Sequence, residues 1–367
     1  MVENDELICT IALSGIPKVG PTMAKNLIAY CGSAAGVFKT SAAKLKSIPG
    51  IGVALATEIK NANVLDDAAR ALEAIYKKGI VALAYNDARY PQRLSQQHGS
   101  PLVLYSKGNT NLNHHRMVGI VGTRQPTDYG KAMCEQMVES LSHYDVVIVS
   151  GLAYGIDATA HRKAVQLDIP TIGILGHGLD IVYPAAHASL VRQMTDNGGV
   201  MTEFPLGTMP DKENFPMRNR IIAGLSDALI VVESKSKGGS IITAEFANDF
   251  NKDVFAVPGL VTEEKAQGCH GLIKANKAHL AENGKDIAAI MRWDALDERK
   301  IIQPQLFPET TESEEVLLGL LRNQSPMSID TITYRLQNTP SATASLLLSL
   351  EFKGLIRSLP GKYYTLT

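Results

Sequence analysis

The stretch DVVIVSGLAYGIDATAHRKAV, Asp145–Val165, decides how the chain folds. Its first seven residues are an almost unbroken apolar, β-branched run. A strand with apolar residues on both faces must be covered on both faces, which is the pattern of a parallel sheet between helix layers. Gly151 and Gly155 then bracket a loop, and a helical pattern opens at Ile156. Strand, glycine loop and helix in that order make one unit of a doubly wound α/β fold.

The same unit recurs on either side. Strands are expected at MVGIVG (117–122), TIGILG (171–176), GVMTEF (199–204), DALIVVE (227–233) and DVFAVPG (253–259). The segments between them are long enough for crossover helices. IVALAYN (80–86) and PLVLYSKG (101–108) read as strands at one edge. The middle of the chain, residues 79–295, is thus an extended Rossmann-like parallel sheet.

Residues 1–64 read as a small helical domain with an internal repeat. SGIPKVGPTMAKNLI (Ser14–Ile28) returns as KSIPGIGVALATEIK (Lys46–Lys60). Each copy has apolar-Pro-x-apolar-Gly before a helix, the pattern of a helix-hairpin-helix or SAM-like unit. Such a turn presents backbone N–H groups at a helix N-terminus, where a phosphate can sit; a purely structural helical pair fits the repeat equally. Residues 296–312, with Pro304 and Pro308 among many charges, read as a linker. Residues 313–367 read as three short helices and a hairpin, a winged-helix domain. Val316, Leu317, Leu320 and Leu321 are expected inside, then Ile329, Ile332 and Leu336, and Leu346, Leu347 and Leu350. The third helix offers Ser341, Thr343, Ser345, Ser349, Glu351 and Lys353 but no arginine, so protein contact or structure is expected of it more than base reading.

The bulk numbers set limits. The 367 residues carry a net charge of −1, with 45% hydrophobic and 20% charged residues, ordinary for a globular protein. Any basic site must therefore be local. Cys9, Cys31, Cys134 and Cys269 are far apart and form no C-x-x-C pair, so neither a zinc site nor a disulfide framework is indicated. The N-terminus lacks a basic region followed by a cleavage site, and the apolar runs are too short for a membrane helix. A cytoplasmic protein without membrane contact is expected.

Ligands of such a sheet bind beyond the carboxyl ends of its strands. Four loops there are informative. VGTRQPTDYG (121–130) puts Arg124 between a strand and a helix start. In SGLAYGIDATAHRKAV (150–165), Asp157 and His161 read as a cap and a packing histidine more readily than as a catalytic dyad. GILGHGLDIVYP (173–184) has Gly176 and Gly178 but no third glycine and no helix after it, a poor dinucleotide fingerprint. KGGSIITAEF (237–246) sets Gly238 and Gly239 before a helix near Ser240, a backbone nest for an anion. The shared theme is backbone N–H plus cation, which is anion recognition. DKENFPMRNRIIAGLSDALIVVE (211–233) adds Phe215 among Lys212, Arg218, Asn219 and Arg220. A stacking face among cations is how single-stranded nucleic acid is held. A core Phe215 with arginines in surface ion pairs is the competing reading.

In this order, VGTR, SGLAYGIDATAH, GHGLDIVYP, TEFPLG, NFPMRNRIIAGLS and KGGSIITA closely resemble the DNA-processing protein A family, DprA/Smf. The resemblance covers roughly residues 80–280, and the flanking helical and winged-helix domains fit that family's architecture. It implies a homodimer that binds and protects single-stranded DNA and loads the RecA recombinase during natural transformation. It implies no catalysis, no cofactor and no metal. Carried onto this sequence, the family's DNA pocket falls on Arg124, on Gly176 or Gly178, and on Lys212 and Phe215. Arg218, Asn219, Arg220, Gly239 and Ser240 complete the expected site. His270 and Asn276 stand where the family usually has Asn and Gly. Two other classes compete: GGSIITAE (238–245) is a degenerate form of the G-G-x-G-T-x-x-E motif of nucleotide phosphoribohydrolases, in which Glu245 would be the acid or base and Arg124 a phosphate clamp, and a pure interaction scaffold would use the winged helix to dock a partner.

Overall fold

The computed structural model describes residues 2–61, 63–109, 111–295, 310–359 and 361–366. The chain divides into two units, Met1–Glu298 and Arg299–Thr367. The expected linker at 296–312 lies, apart from its last three residues, outside the described residues.

The first unit opens with helices α1 (Val2–Gly15), α2 (Pro21–Cys31), α3 (Ala34–Lys39), α4 (Ala42–Leu45), α5 (Val53–Ile59) and α6 (Asn63–Lys77). The two repeats are the α1–α2 and α4–α5 hairpins. In the second, Gly50 takes φ 84; in the first, Lys18 stands at the matching place and takes φ 68. The turn needs a left-handed residue, and lysine accepts there a conformation that glycine adopts at no steric cost. Leu13, Leu27, Leu45 and Ile59 are wholly buried between the hairpins. The helical region runs on through α6, whose Leu72 and Ile75 face the same core as Ala82 and Tyr105 of the sheet's edge strands.

Nine strands form one sheet: β1 (Val81–Ala84), β2 (Val103–Gly108), β3 (Met117–Gly122), β4 (Val147–Ser150), β5 (Thr171–Ile174), β6 (Gly198–Thr202), β7 (Ala228–Val232), β8 (Asp253–Ala256) and β9 (His279–Leu280). Their order is β1-β2-β6-β5-β4-β3-β7-β8-β9. The β1–β2 and β2–β6 pairs are antiparallel and the others parallel. The expected strands are present; β9 was not foreseen, since two residues carry no periodicity.

Alternation within β7 shows why the runs are continuous. Ala228, Ile230 and Val232 face one layer, Leu229 and Val231 the other, and all five are buried. The first layer holds α8 (Asp128–Leu141), α9 (Ile156–Gln166) and α14 (Gly284–Met291). The second holds α7 (Gln92–Ser95), α11 (Asn214–Leu225), α12 (Gly239–Asp249) and α13 (Gln267–Lys274). Helix α10 (Ala188–Asp196) covers the β5–β6 side through Leu190 and Met194. The helix after β3 lies on one face and the helix after β7 on the other. The tips of these neighbouring strands therefore border the crevice in which open α/β sheets bind ligands.

The second unit consists of α15 (Glu312–Asn323), β10 (Met327–Ser328), α16 (Ile329–Leu336), α17 (Pro340–Phe352), β11 (Ile356–Leu359) and β12 (Tyr363–Leu366), a winged helix with strand order β10-β12-β11. Its first helix is turned from the expected phase. Leu317, Leu318 and Leu321 are buried, whereas Val316 is exposed. The reason is Glu314, which also faces inward and accepts hydrogen bonds from Ser349 (2.6 Å) and Lys353 (2.6 and 2.8 Å) of the α17 end. Among the described residues of the whole chain, no helix is long and apolar enough to cross a membrane.

Candidate nucleic-acid interface

Helix α11 leaves the carboxyl side of β6, crosses behind β5, β4 and β3, and ends where Asp227 starts β7. Its first turn therefore sits at the strand tips, and Phe215 is in that turn. Arg124 follows β3 directly. Its guanidinium carbon lies 5.0 Å from the centre of the Phe215 ring, a cation–π distance. Tyr183, in the loop after β5, tilts against the same ring with 6.3 Å between centroids. Behind them is a small cavity of about 30 Å³ walled also by Gly151, Gly176 and Arg218. Beside it runs an open groove of about 520 Å³, bordered by Arg124, Lys212, Phe215, Asn219, Lys237 and the first turn of α12.

Each glycine of the β5 loop has a different duty. A Cβ on Gly176 would stand 3.3 Å from Phe215 Cδ1, so this residue lets the ring close on the backbone. A Cβ on Gly178 would meet Asp180 Oδ1 at 2.5 Å and the Pro205 carbonyl at 2.7 Å. Gly178 N–H donates to the Thr208 carbonyl (3.0 Å), and Asp180 accepts from Gly207 N–H (3.0 Å). Gly178 thus packs the β5 loop on the β6 loop, while Gly176 faces the site.

On the β7 side, Gly239 is open, with nothing within 4 Å of a notional Cβ. Ser240 is buried and donates to Ser234 Oγ (2.8 Å), which fixes the loop before α12. Asn219 Nδ2 reaches the Gly239 carbonyl at 3.4 Å and so links the two sides of the groove. Lys235 and Lys237 add exposed cations, Lys235 pairing with Glu264 at 2.8 Å.

Arg218 and Arg220 separate. Arg218 is only 4% exposed, and among the described residues its Nε and Nη1 have no hydrogen-bond partner. It fills the space over Gly151, where a Cβ would overlap Nη1 and fall 2.6 Å from Asp157 Oδ2. Burial lowers the Arg218 pKa to about 10, and burial raises that of Asp157 against the opposing pull of Arg218. Arg220 faces away from the groove and pairs with Glu203, a largely buried carboxylate whose pKa burial raises. The split follows from helix geometry: two residues along α11 is a rotation of about 200°. Of the expected residues the structure brings together Arg124, Gly176, Lys212, Phe215, Arg218, Asn219, Gly239 and Ser240; Gly178 and Arg220 lie outside.

His161 is fully buried with Nδ1 2.7 Å from Thr171 Oγ1, and burial pushes its pKa down to about 3, which keeps it neutral. It is a packing group turned to β5. Glu245, the acid or base of the competing class, is exposed on α12 and lines neither the cavity nor the groove. Asn276, at a position where glycine is usual, takes φ 54, a left-handed conformation asparagine tolerates. His270 Nε2 lies 3.1 Å from the Gly259 carbonyl and ties α13 to the loop after β8. Tyr183, Lys237 and Asp157 were not among the expected residues. Each lies in one of the loops at the strand ends, Tyr183 as an aromatic beside Pro184, Lys237 as the cation opening KGGSIITAEF and Asp157 at a helix start.

Residues 81–292 match the family described as DNA recombination-mediator protein A, residues 303–362 the DprA winged helix domain, and residues 11–62 the SAM-like helix-hairpin-helix tandem. The chain is 33% identical to "Protein Smf" of Synechocystis sp. over 98% of its own length and 99% of that protein. It is 41% identical to "DNA processing protein DprA" of Streptococcus pneumoniae over 55% of this chain and 71% of that one. Among solved structures it is similar to DNA processing protein A of S. pneumoniae (TM-score 0.68, 32% identity, 78% of this chain and 97% of that one). It is also similar to DNA processing protein A from Helicobacter pylori, whose structure is described in terms of its single-stranded DNA binding mode (TM-score 0.53, 28% identity, 59% and 97%).

Proposed function

The chain belongs to the DNA recombination-mediator protein A family, and from that premise we propose that it binds single-stranded DNA in the groove between the β3 and β7 tips. The observation that carries this reading is the Arg124–Phe215 pair at the mouth of a cationic groove. Phe215 supplies a stacking face for a base. Arg124, Lys212 and Lys237 supply charges for the phosphates, with the open N–H groups at Gly239 beside them. Stacking and backbone tracking together bind single strands with little regard to sequence. A duplex offers its phosphates but no unstacked base, so the single strand is preferred.

In the wider reaction the bound strand is protected and handed to the RecA recombinase, with the protein acting as a homodimer and without turning the DNA over. The recombination-mediator family supports this step. The competing hydrolase reading has no support from geometry, since Glu245 faces solvent.

The test is anisotropy of labelled oligo-dT and of a matched duplex at several salt concentrations. The expected result is a clear preference for the single strand and a log–log salt slope near ~0.7 per phosphate contact. Equal affinity for both, or a flat slope, defeats the reading. RecA ATPase on a strand coated by a single-strand-binding protein, with and without this protein, tests the handover separately.

A further inference from the structure

At the other end of the sheet is a cluster that DNA binding leaves unused. His114 and His115 enter β3, and Asp145 sits between the 3₁₀ turn Ser142–Tyr144 and β4. Among the described residues they form a group of three whose ligand atoms all lie within 4.8 Å of one another. We propose that His114, His115 and Asp145 are the protein ligands of a divalent transition-metal site, with Zn²⁺ as its ion.

The distances carry the argument. His114 Nε2 is 3.4 Å from Asp145 Oδ1, and His115 Nε2 is 3.5 Å from Asp145 Oδ2. These separations are long for N–H···O bonds, which centre near 2.9–3.0 Å. They match two ligand atoms on one tetrahedral ion: bonds of about 2.0–2.2 Å place such atoms roughly 3.4 Å apart. The imidazole rings are 4.5 Å apart and tilted by 34°, so their Nε2 atoms converge on the carboxylate without stacking flat.

The support around the ligands is of the kind metal sites need. His114 Nδ1 lies 3.2 Å from the Arg116 carbonyl. The Arg116 N–H also donates to this Nδ1 (3.3 Å), so the Arg116 backbone holds the ring with Nε2 turned toward Asp145, as outer contacts orient a ligating histidine. Arg116 then locks the two ligand-bearing segments together. It is buried, and its Nη1 donates to the Tyr144 carbonyl (2.5 Å) and the Asp294 carbonyl (3.0 Å), while Val147 N–H donates to the Arg116 carbonyl (2.9 Å). Asp145 holds φ 51, a left-handed backbone that aspartate tolerates. Two imidazoles and a carboxylate suit zinc, nickel or copper and offer little to magnesium. His115 is about half exposed, so the fourth position opens to solvent. The cysteines, from which the sequence suggested no zinc site, take no part. The ion would clip the β3 entry to the β4 entry, roughly 20 Å from the strand tips at a rise of about 3.3 Å per residue.

The test uses the untagged full-length protein, treated with chelator and desalted, titrated calorimetrically with ZnCl₂ and melted with and without it. Asp145→Asn keeps a residue that tolerates the left-handed backbone, and His115→Ala removes an exposed ring; both leave the DNA groove untouched. The expected result is one equivalent of Zn²⁺ and a raised melting temperature in the natural protein. MgCl₂ should produce neither. Each variant, still folded and still binding oligo-dT normally, should lose zinc affinity at least tenfold. No stoichiometric zinc in the natural protein, or an unchanged equivalent in either variant, overturns the proposal.

Discussion

The guanidinium of Arg124 covers the ring of Phe215 at 5.0 Å, so the cation and the stacking face of the groove are one physical unit. Their effects on DNA binding should not add. Phe215→Ala should cost about 1–3 kcal/mol in oligo-dT binding, as loss of one stacked base does. Arg124→Ala should weaken binding and flatten the salt slope. The double variant should lose less than the sum, by about 0.5 kcal/mol or more, because each single change already frees its partner. Anisotropy titrations of the four proteins check this; strict additivity would mean that the two side chains act on DNA independently, not as one unit.

Lys212 and Arg220 are eight residues apart and should behave oppositely. Lys212 is exposed on the groove, so Lys212→Ala should weaken binding and lower the salt slope by about one contact's worth. Arg220 is the partner of the largely buried Glu203, so Arg220→Ala leaves that carboxylate alone. It should lower the melting temperature and leave oligo-dT affinity within about twofold. Thermal melts beside binding curves separate the two.

The two glycines after β5 make a sharper pair. Gly178→Ala forces a methyl against the Pro205 carbonyl and should cost stability, since backbone must move. Gly176→Ala meets only the edge of Phe215 at 3.3 Å. It should melt nearly as the natural protein does while binding single strands measurably less well. Equal loss of stability in both would remove Gly176 from the site.

Glu314 gives the winged helix a pH limit. Hydrogen bonds from Lys353, then Ser349 and the Thr311 N–H, hold its pKa down to about 2. A folded value below the unfolded one gives stability that is present above the ordinary carboxylate range and fades as pH falls from about 4.5 toward 2. Calorimetry of the full chain should show Glu314→Gln lowering the melting of this unit near neutral pH. The gap from the natural protein should close as the buffer is made acidic; a gap independent of pH contradicts the assignment.

The winged helix should matter little for gripping DNA. Ser313–Thr367 holds five basic residues against four acidic, and one of the five, Lys353, is tied to Glu314. A protein ending at residue 311 should keep oligo-dT affinity within tenfold, about 1.4 kcal/mol. A larger loss in a truncated protein that still melts cooperatively would show that the wing binds DNA.

How far the sequence reached depended on the kind of signal. Continuous apolar runs such as Ala228–Val232, short and rich in β-branched residues, fit strands buried on both faces better than helices, so the sheet was legible. Helix α6 carries its own apolar stripe, but its buried Leu72 and Ile75 lie beyond the Gly50 and Gly52 repeat that marks the helical domain. Arg124 was marked by its place after a strand, Lys212 and Phe215 by a phenyl ring set among cations, and all three by the resemblance; folding brings them to one groove. Arg218 and Arg220 looked alike in the string. Their separation follows from α11 being helical already at Asn214, a start without a side-chain cap to announce it. Asp157 gained its meaning only from the arginine that folding brings beside it, and the nearness of Asp145 to His114 is likewise a product of topology.

Gly151 and Arg218 share one volume of space, and that restricts the order in which this sequence can change. Any side chain gained at 151 would have to fall where Nη1 already lies. A single step from glycine at 151 therefore displaces a buried cation and strips Asp157 of its counter-charge at once. The reverse order is open: Arg218 can shrink first, leaving a void that a later residue at 151 could occupy. A lineage that has lost the arginine can thus fill the gap behind it, after which the arginine has no room to come back.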